Sequence, residues 1–344
     1  LKKLFLILSV ILLLISGCAN KEPKSPYNAE ITETKAPKYF ISQAAMPDGS
    51  LFGLAGTTMT IWNPENDETK TIGDAWSAVL SPDAAKIAFI NDQGLQILDV
   101  KSGDITPVDQ NPATGDAALE SGLWSPDANQ FIYMFVREWS SDYFIYNLQT
   151  GEKEEYAFGN IPNFLSTPVD WNENGLLFTV HANESKTGEQ EYRESGYRSD
   201  LMLADAGGMF TPLTDMEDGK YILYCGATSD NKTALVAVYD EDIKTSAGLL
   251  NLEDKKITAL PAGENTVEGS ISPDGKFAVL VKAPQNGHFT AQIYDLENNV
   301  GITEKELVGY EPPRHFIWSD DGRTVSFGLN GEDGDGVLYT VNIK

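Results

Sequence analysis

The stretch "SISPDGKFAVLV", residues 270–281, restricts this chain more than any other, because the run that leaves it is apolar on both sides. Proline presets φ at the second position of a tight turn, and Asp and Gly tolerate the positions after it, so Ser272 to Lys276 reads as a hairpin loop. In the strand that follows, Phe277, Val279 and Val281 share one face while Ala278 and Leu280 share the other. Both faces need cover, whereas a sheet with one wet side would alternate apolar and polar residues.

The unit returns along the chain. Aligned on the turn, it reads "AMPDGSLFGL" at Asp48, "LSPDAAKIAFI" at Asp83, "WSPDANQFIYMF" at Asp127, "WNENGLLFTV" at Asn174, "TSDNKTALVAV" at Asp230, the opening stretch at Asp274 and "WSDDGRTVSFGL" at Asp321. The spacings of these seven copies are 35, 44, 47, 56, 44 and 47 residues, around the period of about 40 to 45 expected of four-stranded propeller blades. Third and fourth strands follow several copies, as in "GLQILDVKSGDITPV", "YFIYNLQTGEKEEY" and "AQIYDLENN". A ring of such sheets covers both faces of every middle strand, so the fold expected is an all-β, seven-bladed propeller of four-stranded antiparallel blades. Trp124, Trp171 and Trp318 share the slot just before the turn, which fits packing between blades. The last copy supplies only three strands, ending in "GVLYTVNIK", and "AEITETK", Ala29 to Lys35, has the alternation to serve as the fourth and close the ring.

The pattern W-S-P-D-G, an apolar strand and then D-L-Y-x-x-D-x-x-G-G resembles the WD40-like propeller repeat of TolB and its relatives, most nearly in "DLMLADAGGMFTPLT" at 200–214. The resemblance covers about residues 27–344 in seven degenerate copies. It implies the fold rather than a function, since propellers of this kind include protein-binding scaffolds, gating domains of peptidases and a few lyases. The small α/β domain that precedes the propeller in TolB has no counterpart in this sequence.

The leading segment, "LKKLFLILSVILLLISGC", joins Lys2 and Lys3 to an apolar run from Leu4 to Ile15 and ends at Cys18. The run is too short to span a bilayer comfortably and reads as a secretory signal. Its end resembles the lipobox of bacterial lipoproteins. That resemblance implies cleavage after Gly17 and lipidation of Cys18, leaving residues 18–26 as a tether and 27–344 as the propeller. With two or more acyl chains the protein would be held at the extracytoplasmic side of a bacterial membrane, in the cell envelope.

The formal charge is −26, and becomes two units more negative once Lys2 and Lys3 leave with the signal. Such a surface repels nucleic acid and anionic headgroups. If Cys18 is lipidated, the other of the two cysteines, Cys225, has no partner for a disulfide. It sits in the apolar run "YILYCGA", where a buried, inert thiol is expected.

A search for chemistry yields weak candidates. His181, His288 and His315 are the three histidines, and propeller connectivity carries them to one face. Some propeller lyases acting on uronate oligomers hold a divalent metal with such histidines, but the closely spaced pair expected of them is missing. In "NGEDGDG", Asp333 and Asp335 could bind calcium weakly, yet counting from Asp333 the fifth position is Val337 and the twelfth Lys344, so an EF-hand fails. No G-x-S-x-G elbow, P-loop, H-E-x-x-H or dinucleotide fingerprint occurs. No cofactor is therefore expected beyond a divalent cation as a minor alternative.

Blade four carries an insertion, Asn183 to Asp200, with Tyr192, Arg193, Tyr197 and Arg198. Tyrosine and arginine are favoured interface anchors, and these cations are rare in an acidic chain. The linkers "FGNIPNFLS", with Phe158 and Phe164, and "VGYEPPR", with Tyr310 and Arg314, emerge on the same face. The expectation is a lipid-anchored, non-catalytic scaffold that binds an envelope protein or glycan through that face. The alternatives are a metal-assisted polysaccharide lyase or glycan hydrolase working in the central funnel, and a small-molecule sensor.

Overall fold

The computed structural model describes residues 24–344 except 113–116, 138–139, 157–165, 183–197 and the single positions 206, 218, 241, 243, 286, 310 and 332. Among the described residues there are only strands and turns, arranged as seven four-stranded sheets. All neighbouring strands within a sheet run antiparallel, and the molecule is the seven-bladed propeller that the repeats predict. The innermost strand of each blade comes first in sequence. These are β2 (Phe40–Ala45), β6 (Ser77–Leu80), β10 (Ala118–Trp124), β14 (Ser166–Asn172), β18 (Lys220–Ala227), β22 (Thr266–Ile271) and β26 (Ile317–Trp318).

Ring closure follows the sequence reading and extends it by a residue. The strand β1 (Ala29–Ala36) pairs along its whole length with β28 (Gly336–Ile343), from Ala29 opposite Ile343 to Ala36 opposite Gly336. It completes the seventh blade beside β26 and β27 (Thr324–Asn330). The segment before it also docks. Tyr27 meets Phe277 edge to face at 5.0 Å, the Arg323 guanidinium lies 4.8 Å from the Tyr27 ring, and Ser25 Oγ donates to Asp295 at 2.6 Å.

The core is divided among the seams between blades. In β23 (Phe277–Gln285), Phe277, Val279 and Val281 face the seventh blade's Val325, Phe327 and Val341, while Ala278 and Leu280 join Leu235 and Ala237 of the fifth. Each strand face thus has its own partner, as the two-sided apolar pattern requires. The seams are unequal. Among the described residues, thirteen buried apolar side chains fill the one between blades six and seven, and five, Ala36, Phe40, Leu51, Trp62 and Leu338, fill the closing seam between blades seven and one.

The recurring turn is a side-chain device. Ser81, Ser125, Thr228, Ser272 and Ser319 each donate a hydroxyl to the Asp two residues on, at 2.6 to 2.7 Å. Each hydroxyl oxygen accepts the backbone N–H that opens the next strand, at 2.9 to 3.2 Å. The residue after the Asp is left-handed. Gly275 and Gly322 take that place freely, whereas Ala84 and Ala128 hold φ of 56° there under strain. The tryptophans of the preceding slot cross the seams: Trp124 Nε1 donates to Val79 O at 3.0 Å and Trp318 Nε1 to Ser270 Oγ at 2.9 Å. Trp171 packs on the cluster between blades three and four.

The inner strands carry a second repeated feature. In blades one, three, four, five and six the pairing of the inner strand slips by an extra residue, at Ser42/Ala44, Ser121/Leu123, Pro168/Asp170, Tyr224/Ala227 and Thr266/Glu268. A bulge bends its strand and re-aims side chains. Here it lies on the edges that line the axis.

Candidate binding site at the channel mouth

A cavity of about 580 Å³ opens where β2 begins and β27 ends, between the first and seventh blades. Its wall is formed by Tyr39, Ile41 and Gln43 from the first blade's inner edge and by Asn330 from the end of β27. The linker 311–315 supplies Arg314 and His315. Gln43 is the extra residue of the β2 bulge, which accounts for its presence on the wall.

Three polar atoms at this seam lack a hydrogen-bond partner among the described residues. They are Ser42 Oγ, Gln43 Oε1 and Asn330 Oδ1, all buried. A Cβ on Gly328 would come within 2.9 Å of Ser42 Oγ, so the close approach of β27 to β2 needs a glycine there. Tyr39 is 51% exposed and adopts a φ of 58°. Its N–H donates to Gly334 O at 2.7 Å, and its ring lies where any side chain on Gly334 would have to go.

That contact places two sequence candidates. Asp333 and Asp335 belong to the hairpin loop between β27 and β28, closed by Gly331 N–H to Asp335 O and Gly334 N–H to Gly331 O, each at 2.9 Å. The loop holds the backbone of Tyr39. Arg314, with 72% of its side chain exposed, lies 3.5 Å from Glu311. His315 faces the solvent of the cavity, yet the enclosing protein and then the Arg314 charge push its pKa down.

The other two histidines stand on other blades. His181 is near the end of β15 (Gly175–Ala182) in blade four, its pKa lowered by burial, and His288 is the exposed first residue of β24 (His288–Asp295) in blade six. Both are strand residues rather than loop residues. All three stand near strand ends, but no group of three or more His, Cys, Asp or Glu among the described residues is arranged to hold a metal ion.

The third strand of blade four, β16 (Arg198–Ala204), reaches back further than the sequence reading assigned it. Arg198 is therefore a strand residue with 18% of its side chain exposed, its Nε 3.4 Å from Asp200 and its Nη1 donating to Met216 O at 2.9 Å. Asp200 is buried, which raises its pKa, while Thr214 Oγ1 and the Met216 N–H donate to it at 2.8 Å and oppose the rise. Cys18, Phe158, Phe164, Tyr192, Arg193, Tyr197 and Tyr310 lie outside the described residues.

On the inner strands of blades six and five, Glu268 of β22 neighbours Cys225 of β18. Burial pushes the Glu268 carboxyl up to about 7, against the opposing Gly269 N–H at 3.0 Å and the Arg314 charge. Burial, followed by the Glu268 charge, pushes the Cys225 thiol well above its ordinary value, so the thiol is buried and inert as its apolar run predicts.

Sequence reasoning missed Tyr39, Gln43, Asn330 and Glu268. One signal was available: Trp76 lies outside the slot that Trp124, Trp171 and Trp318 share. It immediately precedes β6, as Tyr39 precedes β2, and is likewise 51% exposed.

The fold defines a class, the closed seven-bladed propeller. Among solved structures the chain is similar to an oligogalacturonate lyase in complex with manganese, at 13% identity and a TM-score of 0.64, covering 91% of each chain. It is similar to an oligogalacturonate lyase from Vibrio parahaemolyticus at 10% identity and 0.65, covering 93% of this chain and 98% of that one. TolB from Acinetobacter baumannii is also similar, at 12% identity and a TM-score of 0.48, over 78% of this chain and 62% of that one. No protein-family model matches the sequence, and no curated protein matches it. At these identities the likeness is one of fold.

Proposed function

We propose that this protein is a lipid-anchored, extracytoplasmic binding scaffold, holding an envelope protein or glycan at the end of the ring where the cavity opens. The observation that carries the reading is the concentration of unspent recognition chemistry there. The cavity volume lies in the range of about 300–1,000 Å³ usual for ligand sites. Around its end of the ring, Tyr39, Ile41, Trp76 and Val308 expose large apolar side chains. A ring of packed sheets fixes these groups, and binding residues commonly sit on loops positioned by such a scaffold. Lipidation of Cys18 would tether the ring to the membrane through residues 18–26.

Photo-crosslinking in intact cells, followed by recovery of adducts, tests the face. Replacing Tyr39 and Trp76 together by Ala should reduce adducts several-fold at unchanged protein level, and unchanged recovery would refute it. Cys18→Ala should move the protein from the membrane to the soluble fraction, and retention in the membrane would refute the anchor.

A second reading, a glycan-cleaving lyase or hydrolase, is favoured by Glu268. A carboxyl titrating near neutrality beside an arginine is what general acid–base catalysis uses. Release of new chain ends from an envelope polysaccharide, abolished by Glu268→Gln, would replace the scaffold reading.

A further inference from the structure

We infer that the cavity at the channel mouth is a saccharide subsite for an uncharged sugar ring, with Tyr39 as its stacking platform and the Gln43 and Asn330 amides as partners for its hydroxyls. The inference rests on the binding reading above and names the class of ligand.

The aromatic wall is held at a penalty. A non-glycine residue with a φ of 58° is strained by about 1–3 kcal/mol, and a half-exposed ring returns little by burial. The Gly334 carbonyl and the glycine surface beneath the ring fix Tyr39 in that position. The half-exposed ring, with the flexible Lys38 side chain 5.3 Å from its centroid, is a flat, amphipathic surface that suits the apolar side of a sugar ring once that lysine swings aside.

The polar wall is unusual in the same direction. Beside its small apolar cluster this seam holds three of the six buried side-chain polar atoms without a partner among the described residues, Ser42 Oγ, Gln43 Oε1 and Asn330 Oδ1, the other three being Thr245 Oγ1, Gln292 Oε1 and Tyr294 OH of blades five and six. Each buried, unpaired group costs about 1–3 kcal/mol. Gln43 and Asn330 both line the cavity, with their amide oxygens buried in its wall. A half-turn of either amide exchanges its donor end for its acceptor end. A sugar hydroxyl both donates and accepts, so it can satisfy either orientation. A purely apolar ligand would leave both amide oxygens unpaired.

Charge selects an uncharged ring. The one arginine of the wall already faces Glu311 at 3.5 Å, and the surrounding protein and then the Arg314 charge lower the His315 pKa, which disfavours its cationic form. Among the residues that line the cavity no other cation is left for a carboxylate, the Lys38 ammonium lying outside that lining at 5.3 Å from the Tyr39 ring centroid, and the chain as a whole carries −26. Trp76, in the equivalent slot of the next blade, offers a second platform for a neighbouring ring of an oligosaccharide.

The test uses the full chain in a sugar-free zwitterionic detergent. Hexasaccharides of β-1,4-glucose, β-1,4-N-acetylglucosamine, α-1,4-glucose and galacturonic acid are titrated by calorimetry, with saturation-transfer NMR to detect weak binding. At least one neutral hexasaccharide should bind. Tyr39→Ala and the double variant Gln43→Ala, Asn330→Ala should each weaken it about tenfold, while Tyr39→Phe should stay within about threefold. An unchanged melting temperature of each variant separates loss of the site from loss of the fold. Binding of none of the neutral sugars, tighter binding of the galacturonate, or insensitivity to Tyr39→Ala would overturn the inference. If neutral sugars fail while crosslinking still depends on Tyr39 and Trp76, the subsite is wrong and the binding face stands.

Discussion

The single residues that matter most here are those whose comfort has been sacrificed. Ala84 and Ala128 occupy a left-handed place that glycine takes in sister turns, and the turn survives because the Ser–Asp pair beside it fixes the loop. Glu268 is a sharper case, because its strain is electrostatic and therefore depends on pH. An acid whose pKa is raised from 4.5 to about 7 binds its proton more tightly in the folded state. The fold is thus favoured at low pH, and this contribution fades as pH rises from about 4.5 through 7. Glu268→Gln keeps the neutral form at every pH. It should match the parent near pH 4.5 and exceed it above pH 8 by up to about 3 kcal/mol. Urea unfolding at the two pH values measures the difference, and a variant equally stable or less stable at pH 8 would show that the carboxylate is satisfied where it lies.

At the scale of elements, β1 is the strand with the largest effect. Without it β28 would become an open edge, with a row of unpaired backbone groups ready to template another chain. Ile31 and Ala29 of β1 pack on the cluster between blades six and seven, and Lys305 pairs with Glu33 at 2.5 Å while Lys344 pairs with Glu30 at 2.6 Å. Removing residues 24–36 should therefore destabilise the ring by at least about 3 kcal/mol, from lost apolar burial and ladder hydrogen bonds. It should also produce concentration-dependent association, visible by light scattering. A truncated chain that melts like the parent and stays monomeric would mean that the pairing contributes nothing to closure. The strand itself was legible in the sequence, because the last copy lacked a fourth strand and "AEITETK" alternates. The turns were legible too, since Ser, Pro, Asp and Gly act within five residues of one another. The cavity was not. Gln43 and Asn330 are distant in sequence and meet only when the ring closes, and the bulge that brings Gln43 to the wall leaves no mark in the residue order.

For the whole molecule, stability is a contest between apolar seams and like charge. The chain carries 51 Asp and Glu against 25 Lys and Arg. Many of its ion pairs are exposed, such as Lys244 with Asp242 and Lys256 with Asp254, and pairs of this kind contribute little. Folding gathers the surplus carboxylates onto one compact surface, while the unfolded chain spreads them apart. The turn carboxylates add little to any salt response, because hydroxyl and backbone donors within the loop hold them locally. Salt should therefore stabilise the fold. The screening length falls from about 30 Å at 0.01 M to a few ångströms at 0.5 M, so repulsion between neighbours largely disappears across that range. At pH 8 in sodium chloride the melting temperature should rise by about 3 °C, equivalent to one or two kcal/mol for a ring of this size. A flat or falling curve would reverse the balance: the screened attractions, including Lys305–Glu33 and Lys344–Glu30 at the closure, would then outweigh the repulsion. The ring would be held shut by charge as well as by its seams, and the loss on removing β1 should then shrink in high salt.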